Sequence, residues 1–154
     1  KIINQKTASL FSSCCEMGSL SSGANKKNIL LMREFGSLVG QAFQIRDDLF
    51  GYLSYDIGKP SLNDFKQRKM TLPLIYALSK SNSFEKREIL KDVKDFKSVE
   101  KIISFVKEKN GIAYSENKMN TMIIKSKKIL NFFPDSVYKE SLNNLLDYTI
   151  NRVK

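Results

Sequence analysis

The chain has 154 residues, 42% of them hydrophobic and 27% charged, and a net charge of +10. That is enough for one domain with a real core, ordinary in composition for a globular protein. It contains no histidine, which excludes the usual zinc sites, the Ser-His-Asp triad and Cys-His catalysis, and leaves carboxylates, lysines and a hard cation to do any chemistry.

The positive charge is diffuse. Residues 1–83 hold 11 Lys/Arg and 6 Asp/Glu, and residues 84–154 hold 15 and 10. No basic block stands alone, which argues against a nucleic-acid surface. A spread surplus suits anionic small molecules, or is simply a solvated surface. No run approaches the ~18 apolar residues of a membrane span. No apolar stretch follows Lys1 as in a signal peptide, so a cytoplasmic address without a transmembrane segment is expected. Cys14 and Cys15 are adjacent and read as reduced, packing thiols.

In chain order, residues 2–20 place Ile3, Ala8, Leu10, Phe11, Cys14, Cys15 and Met17 at helical spacings, until "GSLSSGAN" breaks the pattern. Residues 26–50 form a long helix, with Ile29, Leu30, Phe35, Leu38, Val39, Ala42, Phe43, Leu49 and Phe50 covering much of its circumference. A helix apolar nearly all round belongs inside a bundle. Gly36 and Gly40 offer close approach to a neighbour, at roughly 1 kcal/mol each against Ala.

Residues 51–69 read as a loop, with Gly51, Gly58, Pro60, Ser61 and Asn63 and no periodicity. "TLPLIYAL" resumes a helix, with Thr71 as cap and Pro73 in its first turn. Ser83 caps residues 84–95. Residues 98–109 put Val99, Ile102, Ile103 and Val106 on one face before Gly111. Residues 112–133 and 136–152 give two more helices, parted near Pro134. No strand alternation or repeat occurs. The expected fold is all-α, a bundle of six or seven helices.

The chemistry concentrates in "AFQIRDDLFGYLSYDIGKP". At 100° per residue, Gln44 lies about 40° from Asp48 and about 60° from Asp47, so the three share a helix edge. Adjacent carboxylates repel unless something positive neutralises them. Mg²⁺ is the natural partner, since it accepts one or two carboxylates and completes its shell with water and phosphate oxygens. Lys59 and Lys69 would add point charges on the same phosphates. On these letters alone, a solvated charged face is the simpler reading.

The order of the pieces changes that balance. "KTASLF" at 6–11, "GSLVGQAFQIRDD" at 36–48 and "GKPSLNDFKQRKMTLPLIYAL" at 58–78 resemble the second half of the trans-isoprenyl diphosphate synthases, or polyprenyl synthetases. The specific match ends at Leu78. Beyond it only the helical pattern and the ending "YTINRVK" are similar.

The resemblance implies an isoprenoid-synthase bundle around a deep cavity, usually homodimeric. It implies joining of isopentenyl diphosphate to an allylic diphosphate, with Mg²⁺ assisting loss of pyrophosphate. Asp47 and Asp48 match the start of the family's second Asp-rich motif, a metal site. Lys6 matches a lysine on the allylic diphosphate, with Thr7 beside it. Gln44, next to Phe43, matches the glutamine near the reacting carbons. Lys59 matches a loop lysine that closes on the diphosphate, and Lys69 falls in the same substrate-binding set.

Two departures stand out. The family's second motif commonly reads Asp-Asp-x-x-Asp, and here its fifth position is Gly51. Asp56 is a poor substitute. The family's first Asp-rich motif and its isopentenyl diphosphate ligands lie upstream of the "KT" element. Residues 1–154 are therefore expected to be the C-terminal part of a synthetase domain, inactive alone. The rival expectation is a non-catalytic helical subunit or interaction module that retains the synthase fold. Product chain length, set in this family near the first motif, is not encoded in these residues.

Overall fold

Apolar residues recurring every three or four positions build seven helices among the described residues, and no strand. The computed structural model describes residues 7–56, 69–95 and 98–151. The helices are α1 (Ser9–Ser21), α2 (Lys26–Asp56), α3 (Leu72–Ser79), α4 (Ser83–Asp95), α5 (Val99–Glu108), α6 (Gly111–Leu130) and α7 (Val137–Asn151). The all-α expectation holds. Two compact units divide the chain, residues 1–46 with 118–154 and residues 47–117, so the boundaries fall within α2 and α6.

In the first unit, Gly23 at φ 72° turns the chain between α1 and α2, a conformation that favours glycine. Asn25 then caps α2, its side-chain oxygen accepting the Asn28 N–H at 2.9 Å. Helix α2 passes α1 at two glycines one turn apart. A β-carbon on Gly36 would collide with the Phe11 carbonyl and stand 2.9 Å from Cys15 Sγ. One on Gly40 would stand 2.6 Å from the Ala8 Cα. Phe35, Val39, Ala42 and Ile45 form the buried stripe of this part of α2.

Met119, Ile123, Ile129 and Leu130 of α6 and Leu146 of α7 are also buried in this unit. The buried hydroxyls of Ser126 and Thr149 donate to the carbonyls four residues earlier, Met122 at 3.0 Å and Leu145 at 2.8 Å. Neither is left unsatisfied. Lys127 reaches Asp147 at 2.7 Å and ties α6 to α7.

The adjacent cysteines are free thiols, Cys14 exposed and Cys15 half-buried. Burial, and then the neighbouring Cys14, push the Cys15 thiol above its ordinary pKa. The thiolate is the nucleophile. Iodoacetamide at pH 8 is therefore expected to label Cys14 well before Cys15, as peptide mass spectrometry would show; equal rates would mean that α1 does not shield Cys15.

In the second unit, Tyr52, Leu74, Ala77, Leu78, Ile89, Val99, Ile102, Ile103, Phe105 and Val106 make one core cluster. Asn110, at φ 57°, leads into Gly111. A β-carbon on Gly111 would collide with the Pro73 carbonyl and stand 2.9 Å from Val106 Cγ1, so here too a glycine admits close backbone approach. Tyr76 stacks on Tyr114 with ring centroids 3.9 Å apart.

The start of α4 differs from the expected cap. Asn82, not Ser83, accepts the Glu85 N–H at 2.9 Å, and the Glu85 carboxylate accepts the Asn82 N–H at 3.1 Å. This is a reciprocal capping box. Glu85 also meets Lys109 at 2.9 Å, and these bonds, that to Lys109 first, hold its carboxyl below the usual range.

The larger difference is the length of α2. No loop begins at residue 51, because the helix continues to Asp56; residues 57–68 of the expected loop lie outside the described residues. Gly51 costs helix propensity, but it lies buried and the stripe of Ile45 and Leu49 runs on to Tyr52. Tertiary burial outweighs a local penalty of about 1 kcal/mol.

Candidate functional site

Helix α2 carries Phe43, Gln44, Asp47 and Asp48 within six successive residues, all half-buried. Their neighbours differ between the two units. In the first unit, the Thr7 hydroxyl donates to Gln44 Oε1 at 2.7 Å, across 37 residues. The Phe43 ring packs on Phe11 with centroids 5.6 Å apart and planes inclined at 39°. The sequence elements "KT" and "FQ" are thus brought into direct contact. Thr7 holds the Gln44 amide oxygen, which fixes the direction of the amide.

In the second unit, Asp48 Oδ2 accepts the backbone N–H of Leu72 at 3.1 Å. Leu72 is the first residue of α3, and its N–H has no partner inside that helix. A carboxylate at this end also interacts favourably with the helix dipole. Thr71 occupies the cap position, as expected, yet its side chain makes no capping bond. Its hydroxyl instead meets the Tyr52 hydroxyl at 2.6 Å. Lys69 is exposed, three residues before Leu72. Lys6 and Lys59 lie outside the described residues.

The donor set suits a hard cation. Two adjacent aspartates offer carboxylate oxygens, and no histidine exists in the chain. Among the described residues no group of three or more His, Cys, Asp or Glu side chains could hold a metal ion. A cation on Asp47 and Asp48 would need water or phosphate oxygens for the rest of its shell, as Mg²⁺ usually does.

Comparison with known proteins fits this reading. Residues 1–108 match the polyprenyl synthetase family. The chain belongs to that family. It is 31% identical to the geranylfarnesyl diphosphate synthase of Aeropyrum pernix over 157 residues, covering 99% of this chain and 49% of that protein. It superposes on the crystal structure of a geranylgeranyl pyrophosphate synthase from Bacteroides thetaiotaomicron with a TM-score of 0.86 and 33% identity, covering 98% of this chain and 52% of that one. A polyprenyl synthase from Caulobacter crescentus CB15, solved with calcium and isoprenyl diphosphate, gives a TM-score of 0.81 at 27% identity, over 98% and 48% of the two chains. This synthetase chain spans about half the length of the relatives it matches. No helix among its described residues is long and apolar enough to cross a membrane.

Sequence reasoning missed Tyr52 and Phe11 as supports of the site. Tyr52 stands one turn after Asp48, a helical spacing that would have revealed it had Gly51 not been read as the end of α2. For Phe11 no local signal existed, since its partner Phe43 lies on another helix.

Proposed function

We propose that these residues form the second Asp-rich part of a prenyltransferase, which adds isopentenyl diphosphate to an allylic diphosphate in isoprenoid biosynthesis. The observation that carries this reading is the half-buried Asp47–Asp48 pair on the helix that also presents the Thr7-bound Gln44. Asp47 and Asp48 would hold Mg²⁺. When bound, it would neutralise charge on the departing pyrophosphate, which is the difficult part of the ionisation. Thr7, Gln44 and Phe43 would line the reacting end, Gln44 with its amide direction set by Thr7. Lys6, Lys59 and Lys69 would bind diphosphate oxygens.

The calcium and isoprenyl diphosphate of the Caulobacter crescentus synthase support a divalent cation and a diphosphate ligand for the family fold. A single synthetase domain, a C-terminal place within it, a homodimer and a cytoplasmic location complete the proposal. Because the chain spans about half of its relatives, the 154 residues alone are proposed to be inactive. The activity belongs to a protein in which the other half of the apparatus is also present.

The test is direct. The protein containing this chain is incubated with Mg²⁺, isopentenyl diphosphate and an allylic diphosphate, and prenyl products are separated. Chain elongation abolished by EDTA is the expected result. No product, together with an unchanged melting temperature on adding Mg²⁺, would favour the alternative of a non-catalytic helical subunit.

A further inference from the structure

We infer that Tyr52 and Thr71 are positioning residues, which hold the start of α3 so that its first N–H fixes the Asp48 carboxylate. Asp48 and Tyr52 are four residues apart on α2, so they lie on the same edge. Their partners, Leu72 and Thr71, are successive residues. Two hydrogen bonds therefore join one edge of α2 to the beginning of α3, Tyr52 to Thr71 at 2.6 Å and Asp48 to the Leu72 N–H at 3.1 Å.

The two bonds do different work. Tyr52 is 1% exposed and Thr71 5%, so their bond is made out of contact with water. Removing the Tyr52 hydroxyl takes its partner from the buried Thr71 hydroxyl, which is costly. The bond therefore acts as the rigid anchor. Asp48, by contrast, is only half-buried.

The division of labour at Thr71 is informative. A threonine at a cap position ordinarily accepts an N–H of its own helix. Here that hydroxyl is committed to Tyr52, and the Leu72 N–H goes to Asp48. An exposed aspartate would explore several rotamers, and ordering it for a ligand costs entropy. The Leu72 N–H meets that cost in the folded protein. A carboxylate has about four lone-pair positions, so accepting the Leu72 N–H is compatible with a cation on the same group.

This inference rests on the proposed metal role of Asp48. It is tested in the complete protein with Thr71→Val, which keeps the shape without the hydroxyl, Thr71→Ser, which keeps the hydroxyl, and Tyr52→Phe. Two readouts are taken: hydrogen exchange of the Leu72 amide without metal, and the half-saturating Mg²⁺ concentration for thermal stabilisation and for turnover. Thr71→Val and Tyr52→Phe are expected to speed Leu72 exchange and raise the Mg²⁺ requirement, each by about tenfold, the factor that one lost hydrogen bond of about 1.4 kcal/mol gives. The rate at saturating Mg²⁺ should change less, and Thr71→Ser should restore both readouts. If either single variant fails to fold, the Tyr52→Phe/Thr71→Val double variant, which leaves no buried hydroxyl unpaired, takes its place. Wild-type exchange and Mg²⁺ requirement in the hydroxyl-free variants would overturn the inference alone, as would equal defects in Thr71→Val and Thr71→Ser. A wild-type protein indifferent to Mg²⁺ would overturn the metal reading and this inference with it.

Discussion

Asp47→Asn in the complete protein is expected to lower kcat/KM by about 10²- to 10³-fold, the loss typical of removing one element that stabilises transition-state charge, with melting temperature almost unchanged. The substitution keeps the size, removes the negative charge and replaces one acceptor oxygen by an NH₂ donor, so a cation would lose both charge and a ligand atom. Asp48 should behave differently, because its carboxylate also caps α3. Asp48→Asn retains an oxygen for the Leu72 N–H, so activity should fall while stability holds. Asp48→Ala removes the acceptor as well, and should cost a further ~1 kcal/mol of stability, as other lost helix caps do. Steady-state kinetics over a Mg²⁺ series, beside thermal unfolding, separate the three variants. Undiminished activity in Asp47→Asn would remove that residue from the metal site.

Gly40→Ala is expected to destabilise the fold by about 2 kcal/mol, although alanine is the better helix former. Two effects oppose each other. Helix propensity favours alanine by about 1 kcal/mol. Overpacking a tight contact typically costs about 1–3 kcal/mol, and more where nothing can yield. At Gly40 the obstacle is backbone, the Ala8 Cα at 2.6 Å, and at Gly36 it is the Phe11 carbonyl. Backbone cannot swing aside as a flexible side chain can, so α1 would have to move bodily, and the steric effect wins.

Moving α1 would also disturb Thr7, whose hydroxyl binds Gln44. Gly40→Ala should therefore reduce turnover as well as melting temperature. Gly18→Ala is the control. It lies in α1 with nothing within 4 Å of its β-carbon, so it should stabilise by about 0.5–1 kcal/mol. Denaturant unfolding of the two variants beside the unsubstituted protein decides the matter. A stabilised Gly40→Ala would mean that α1 and α2 are not in contact at this point.

Much of the fold is legible in the sequence because helix periodicity is local. The apolar spacing of residues 98–109 and of "TLPLIYAL" marks α5 and α3 within a residue or two. The motif order from Lys6 to Leu78 was equally legible, and it carries the family assignment that the match over residues 1–108 bears out. The end of α2 was not. Gly51 signals a break only if local propensity rules there, and burial of Tyr52 against the second unit's core overrides it. The caps were misjudged for a related reason. Asn82 and Ser83 are both acceptable by type, and only the reciprocal bond with Glu85 selects the first.

By itself, the sequence determined that this protein is helical and, holding no histidine, leaves carboxylates and lysines for any chemistry; it also offered Asp47 and Asp48 as metal candidates. The helices follow from residue type and short spacing, whereas the metal candidacy of the aspartates needed the order of motifs along the chain and the family resemblance it carries. Tertiary structure alone decided that Thr7 holds Gln44, that Asp48 rather than Thr71 caps α3, and that Tyr52 takes the Thr71 hydroxyl. Those bonds span 37, 24 and 19 residues. A hydroxyl or carboxylate can satisfy itself with many partners, and only folding, by bringing one donor within 3.1 Å or less and excluding water from the most buried pair, selects among them.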